Sequence, residues 1–162
     1  MSRRASVPPR WFVTTAWRMH RALYRASGGR SGLWTPSEKR PWGTLRLTTT
    51  GRRTGRERAA ILGYLPDGED VAVLAMNGWG EGEPAWWLNL RATPAATMHL
   101  PGRVPQPVLA RAAEAEERDR LWAGWRTVEP NLDDYAALRS TPTAVVVLTP
   151  APSSRRPRIG PR

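Results

Sequence analysis

Arginine and glycine crowd one short stretch of the chain, Gly51-Arg52-Arg53-Thr54-Gly55-Arg56-Glu57-Arg58, directly after the strand-like Thr48-Thr49-Thr50. A guanidinium is a planar fork of donors that matches phosphate or carboxylate. Glycine lets the backbone reach conformations, and approach ligands, that other residues do not. The stretch reads as a cradle for an anion; a β-turn carrying solvated arginines fits the same residues equally well. It lacks the Gly-Lys-Ser/Thr of a nucleoside-triphosphate loop and the Gly-x-Gly-x-x-Gly of a dinucleotide fold. Hydrolysis of ATP or GTP and a Rossmann nicotinamide site are therefore not supported.

Elsewhere the chain is poor in catalytic groups. Its two histidines, His20 and His99, have neither a nucleophile nor a carboxylate beside them in sequence, and there is no cysteine. A catalytic triad or a zinc site needs more than this. Glu114, Glu116 and Glu117 suit the first turn of a helix, whose dipole favours acids there. Asp133-Asp134 could pair for acid–base work or bind a metal, but capping or plain surface exposure is the stronger reading. An enzyme built from these residues borrows its reactivity from a cofactor. Trp86-Trp87, adjacent on a short helix, must point to different faces, so one serves the core while the other can cover a flat ring.

Charge separates the chain into unlike parts. The net charge over 162 residues is +11, yet residues 1–56 hold 13 Lys and Arg against one acid, whereas residues 57–150 hold 8 against 13. A nucleic-acid binder would spread its positive charge along one exposed face; here it gathers in an N-terminal arm and helix, the glycine loop and a short tail. No apolar run reaches the roughly 20 residues of a membrane span, and the N-terminus lacks the apolar core of a signal peptide. The absence of cysteine fits a reducing compartment, and the expected location is cytoplasmic.

These residues are positioned by short elements. Residues 1–10 form a basic arm and residues 151–162 a basic tail, both expected to be disordered. After Pro8-Pro9 a helix is expected over 11–26, with Phe12, Ala16, Met19 and Leu23 on one face and Arg18, Arg21 and Arg25 beside it. Docking on the domain is the plain reading of that face; peripheral contact with an anionic membrane at the inner face of the cell is the sharper one. Strands are expected over 44–50, 59–65, 71–75, 97–100, 106–112 and 144–148, and Pro66-Asp67-Gly68 marks a hairpin. Helices are expected over 85–91, after Pro84, and over 114–128 with Leu121, Trp122, Trp125 and Val128 as its stripe. About six strands with few helices between them imply a mainly antiparallel barrel in a single domain over 11–150.

Taken in order, Leu47 to Arg58, Gly63-Tyr64-Leu65-Pro66-Asp67-Gly68, Asn77-Gly78, Pro84-Ala85-Trp86-Trp87-Leu88-Asn89-Leu90 and Val145 to Pro150 resemble the signature of the deazaflavin-dependent nitroreductases. This family comprises actinobacterial quinone reductases and nitroreductases that use coenzyme F420. The resemblance implies a split β-barrel like that of small flavin-binding oxidoreductases. It also implies hydride transfer from the reduced deazaflavin to a quinone-like or nitro-aromatic, electron-poor acceptor, without a metal.

By the same resemblance Arg52, Arg53, Thr54 and Arg58 hold the cofactor's phosphate and the start of its oligoglutamate tail, and Ala59, Ala60 and Ile61 line the ring. Leu74, Ala75, Met76 and Asn77 contribute from the end of the third strand, and Ala85, Trp86 and Asn89 from the short helix. The chain departs from the family where a tyrosine cluster covers the ring. The matching segment is Glu129-Pro130-Asn131-Leu132-Asp133-Asp134-Tyr135, which leaves Leu132 against the ring and Tyr135 as the one phenol to orient an acceptor. Asn77 and Met76 replace a polar and a small residue of the family, and Trp79 stands where the family has a small one. Two other readings remain at this stage, a non-catalytic F420 carrier and a basic nucleic-acid-binding barrel.

Overall fold

The structure is a computed structural model, and it describes residues 33–78 and 80–152. The expected arm and helix over 1–26, Trp79 and the tail beyond Pro152 lie outside the described residues.

Six strands form one closed antiparallel barrel. They are β1 (Gly43–Thr50), β2 (Glu57–Asp67), β3 (Asp70–Leu74), β4 (Ala95–His99), β5 (Gln106–Ala112) and β6 (Val145–Pro150), in the order β1-β2-β3-β6-β5-β4 with β4 returning to β1. Among the described residues three helices accompany them: α1 (Ala85–Ala92), α2 (Ala115–Val128) and α3 (Leu132–Ala137). The fold expected from the strand pattern is the fold observed, with α3 added.

Alternation decides which side chains enter the barrel. In β1, Leu45, Leu47 and Thr49 are buried while Arg46 and Thr48 are less so, the period of two that a pleated strand imposes. In β6, Val145, Val146, Val147 and Leu148 are all fully buried because both faces are covered. Val146 and Leu148 meet Leu45, Leu47, Trp86 and Trp87 inside the barrel, and Val145 and Val147 meet Leu121, Trp125 and Leu132 beneath α2 and α3. Burial of each such aliphatic side chain contributes about 1.5–3 kcal/mol. The barrel and the α2 layer are thus held by two cores on opposite faces of β6, and β3 divides between them in the same way, with Val71 and Val73 on one side and Ala72 and Leu74 on the other.

The strand that opens the site is β2. Its pairing with β1 runs from Tyr64 to Glu57, but β3 pairs with it only at Leu65, Pro66 and Asp67. From Glu57 to Tyr64 its second edge therefore has no strand partner among the described residues. The barrel is closed in topology but split along that edge.

Candidate functional site

The connection between β1 and β2 is the glycine–arginine stretch. Gly51 N–H donates to the Arg56 carbonyl at 2.8 Å, and the Gly51 carbonyl accepts from Gly55 N–H at 2.7 Å. A Cβ on Gly51 would lie 2.9 Å from the Arg56 carbonyl oxygen, and Gly55 has φ +66°, so each glycine is required by the turn. This tight loop fans Arg52, Arg53 and Arg58 outward from a fixed base.

The loop is tied to α1 by one buried amide. Asn89 Oδ1 accepts from Arg52 N–H at 3.1 Å and from Arg52 Nη1 at 3.3 Å, and Asn89 Nδ2 donates to Thr49 Oγ1 at 3.1 Å. Thr49 Oγ1 in turn donates to the Arg58 carbonyl at 3.3 Å. Asn89 is only 4% exposed. A buried amide satisfied in this way is a strong positional constraint, since losing a partner exposes the full desolvation cost.

Between the loop, the open edge of β2, α1 and the end of β3 lies a cleft of about 850 Å³. Its walls hold the guanidinium-bearing Arg52, Arg53 and Arg58, with Thr54, at one end. Ala59, Ala60, Ile61 and Leu62 form one side, Met76, Asn77 and Gly78 another, and Pro84, Ala85, Trp86 and Asn89 the floor. Five consecutive β2 residues line it, which a paired strand could not do. It is the unpartnered edge that presents them, with its backbone donors and acceptors available to a ligand. The lining contains three arginines and no carboxylate, so it attracts anions.

A second cavity of about 360 Å³ adjoins the first. Trp34, Trp42 and Trp125 line it together with Thr44, Gly63, Leu74 and Val128, and it shares Ile61, Leu62, Met76 and Gly78 with the cleft. A Cβ at Gly63 would lie 3.5 Å from Trp42 and 3.6 Å from Trp125. The two indoles thus flank a gap kept open by the missing side chain. No charged residue lines this pocket.

Twelve of the residues singled out from sequence meet in the cleft: Arg52, Arg53, Thr54, Arg58, Ala59, Ala60, Ile61, Met76, Asn77, Ala85, Trp86 and Asn89. Leu74 lines the apolar pocket instead. Ala75 lines neither cavity: its side chain is in the barrel core and its N–H donates to the Ala144 carbonyl at 2.8 Å. Leu132 is fully buried in the core beneath α2, and Tyr135 lines neither cavity. The short helix α3 places Leu132 in the core cluster that also holds Trp125 and Val145. Sequence reasoning missed Leu62, Gly78 and Pro84 in the cleft, and Trp34, Trp42, Thr44 and Gly63 in the pocket. Trp125 and Val128 were legible only as part of a core stripe. Among the described residues no cluster of acids or histidines could hold a metal, and no helix is long and apolar enough to cross a membrane.

The model of the F420H(2)-dependent quinone reductase family matches residues 16–150. An F420H(2)-dependent quinone reductase of Mycobacterium tuberculosis is 33% identical over 135 residues, covering 82% of this chain and 88% of the relative. The solved structure of an F420-H2 dependent reductase superposes with a TM-score of 0.59 at 25% identity, over 67% of this chain and 94% of its own. A structure described as a domain-swapped dimer shares the fold, with a TM-score of 0.60 at 23% identity over 83% of this chain and 98% of its own.

Proposed function

The chain belongs to the F420H(2)-dependent quinone reductase family and is an F420H2-dependent oxidoreductase, and from that premise we propose that the cationic cleft holds coenzyme F420 and the apolar pocket beside it receives a quinone-like acceptor. The residues fit the cofactor. Arg52, Arg53 and Arg58, with no carboxylate among the lining residues, suit a phosphate and a chain of glutamates through charge-assisted hydrogen bonds. Ala59 and Ala60 are small enough for a ring to approach the open edge of β2, and Trp86 offers an aromatic surface on the floor.

When bound, the reduced deazaflavin supplies a hydride. The protein's part is to hold, orient and shield. Ile61, Leu62, Met76 and Gly78 belong to both cavities, so a molecule in the pocket and one in the cleft meet across the same four residues. That sharing is the observation that carries the proposal, because alignment of two reactants at contact distance is the largest contribution a catalytic-residue-poor site can make. Apolar walls exclude water from the meeting point. The indoles of Trp42 and Trp125 flanking Gly63 suit a flat, neutral ring, and the relative from Mycobacterium tuberculosis is named for a quinone.

The test follows deazaflavin absorbance and fluorescence. The purified protein is expected to quench F420 fluorescence at micromolar cofactor and to oxidise F420H2 with soluble benzoquinones or naphthoquinones. Gly63→Val should narrow the pocket, raise the quinone KM about tenfold, as one or two misplaced methyl groups do, and leave F420 affinity unchanged. Tight F420 binding without oxidation by any quinone in the panel would sink the acceptor assignment and favour a carrier.

A further inference from the structure

Arg139 is the one buried charged residue among those described, 7% exposed, and it lines neither cavity. It follows α3, and its guanidinium reaches back to the glycine-rich stretch between β3 and α1. Nε donates to the Gly80 carbonyl at 3.0 Å, Nη2 to the Gly82 carbonyl at 2.8 Å and Nη1 to Thr143 Oγ1 at 2.5 Å. The adjacent Ser140 donates its N–H, at 2.9 Å, and its hydroxyl, at 2.8 Å, to the Glu81 carboxylate. Three successive residues, Gly80, Glu81 and Gly82, are thus gripped from one side. On the other side Gly80 N–H donates to the Asn77 carbonyl at 2.9 Å, and Asn77 Nδ2 to the Glu81 carbonyl at 3.4 Å.

This arrangement is more than a satisfied core residue requires. Glycine loses the most conformational freedom on ordering, so a stretch with glycine at 78, 80 and 82 needs an external restraint to hold one shape. A buried cation is costly unless its hydrogen bonds are met, and burial pushes the Arg139 guanidinium below its ordinary value, with Glu81 and Glu83 opposing that. Here the bonds are met chiefly by the backbone of the glycine stretch itself. At its start that stretch supplies Met76 and Gly78 to both cavities and Asn77 to the cleft. At its end it supplies Pro84 and Ala85 to the cleft.

We infer that Arg139 is a positioning residue that fixes the wall common to the cofactor cleft and the apolar pocket, so that removing it weakens the hold on both reactants. The inference rests on the assignment of F420 and acceptor to those cavities. The planar fork matters, because a lysine ammonium cannot span two glycine carbonyls and a hydroxyl in fixed directions.

Four variants test this: Arg139→Ala, Arg139→Lys, Glu81→Ala and, as a control for general destabilisation, Met98→Ala, a buried change in β4 that lines neither cavity. Melting temperature, F420 dissociation constant, KM for F420H2 and benzoquinone, and amide exchange at Gly80 and Gly82 are measured on each. Arg139→Ala should raise the F420 dissociation constant and both KM values about tenfold, with kcat changed less. Lysine should recover part of that. Glu81→Ala, at an exposed position that leaves the core intact, should give about a threefold loss, and amide exchange at Gly80 should accelerate in all three. Met98→Ala should melt earlier yet keep wild-type dissociation constants. Unchanged exchange at Gly80 in the folded Arg139→Lys and Glu81→Ala variants overturns the clamp, whatever the wild type binds. Failure of the wild type to bind F420 overturns the assignment of the cleft instead.

Discussion

The arginines of the loop and the arginines of the body live under different rules. Arg91, Arg111, Arg120 and Arg126 each lie within 2.5–3.2 Å of a carboxylate, on Glu83, Glu117, Asp67 and Asp133 respectively. Arg53, Arg56 and Arg58 make no ion pair among the described residues, and Arg52 spends one nitrogen on the neutral amide of Asn89. Cations whose charge is already answered add little to the field around the protein. A cluster left unanswered, on a rigid turn, repels itself until an anion arrives. The difference teaches that composition alone is a poor guide to binding: the same residue type is a surface fastener in one place and a ligand hook in another.

The strongest test of that contrast removes the hooks together. Changing Arg52, Arg53 and Arg58 to Ala should cut F420 affinity by about 10²–10³-fold, since each charge-assisted bond contributes about 1.5–3 kcal/mol before solvent screening, while the melting temperature stays level or rises. Added salt should weaken F420 binding to the wild type and barely alter what remains in the triple variant. An equal loss of affinity on removing a body arginine would erase the distinction.

Asn89→Ala sharpens it. This change leaves all the arginines in place but frees Arg52 and Thr49 from their shared anchor. The expected loss is about tenfold in F420 affinity together with about 1–3 kcal/mol of stability from unmet buried groups. An effect on stability alone would mean that the hooks need no fixed base.

The smallest effect belongs to the fasteners. Arg111→Ala should leave F420 affinity untouched and cost at most about 1 kcal/mol, as partly exposed pairs do, or a few degrees in melting temperature. Its hydrogen bond to Arg111 holds the Glu117 carboxyl below the ordinary carboxylate value. The folded pKa is the lower one, so this contribution is present above about pH 4.5 and is lost as pH falls through the folded value. The stability gap between wild type and Arg111→Ala should therefore close in acid, which a pair of melting curves at pH 7 and pH 3 would check.

Much of this was legible in the residues. Alternation located β1, the Pro66-Asp67-Gly68 turn located the β2–β3 hairpin, and the apolar stripe of α2 was visible around Leu121 and Trp125. The loop's glycines and arginines pointed at an anion before any partner was considered. Other features had no local signature. Six residues are too few to show a helical period, so α3 was missed, and with it the inward turn of Leu132. The break in pairing between β2 and β3 depends on register, which the alternation of either strand does not encode. Trp34 and Trp42 precede the first strand without any pattern, and only the fold sets them beside Trp125. Arg139 looks in sequence like any surface cation; its burial is decided by the path of the chain after α3.

The open edge of β2 has one more consequence. An unpaired ladder invites a neighbouring molecule to add a strand, the first step of edge-to-edge aggregation. In this barrel the stretch from Glu57 to Tyr64 is the long exception to closure among the described residues. It begins beside Arg53, Arg56 and Arg58, so an approaching copy of the chain would bring the same positive charges against them. The cluster that makes the cleft hospitable to a polyanion makes it hostile to the protein's own kind, and mutants stripped of these arginines should be watched for association as closely as for lost activity.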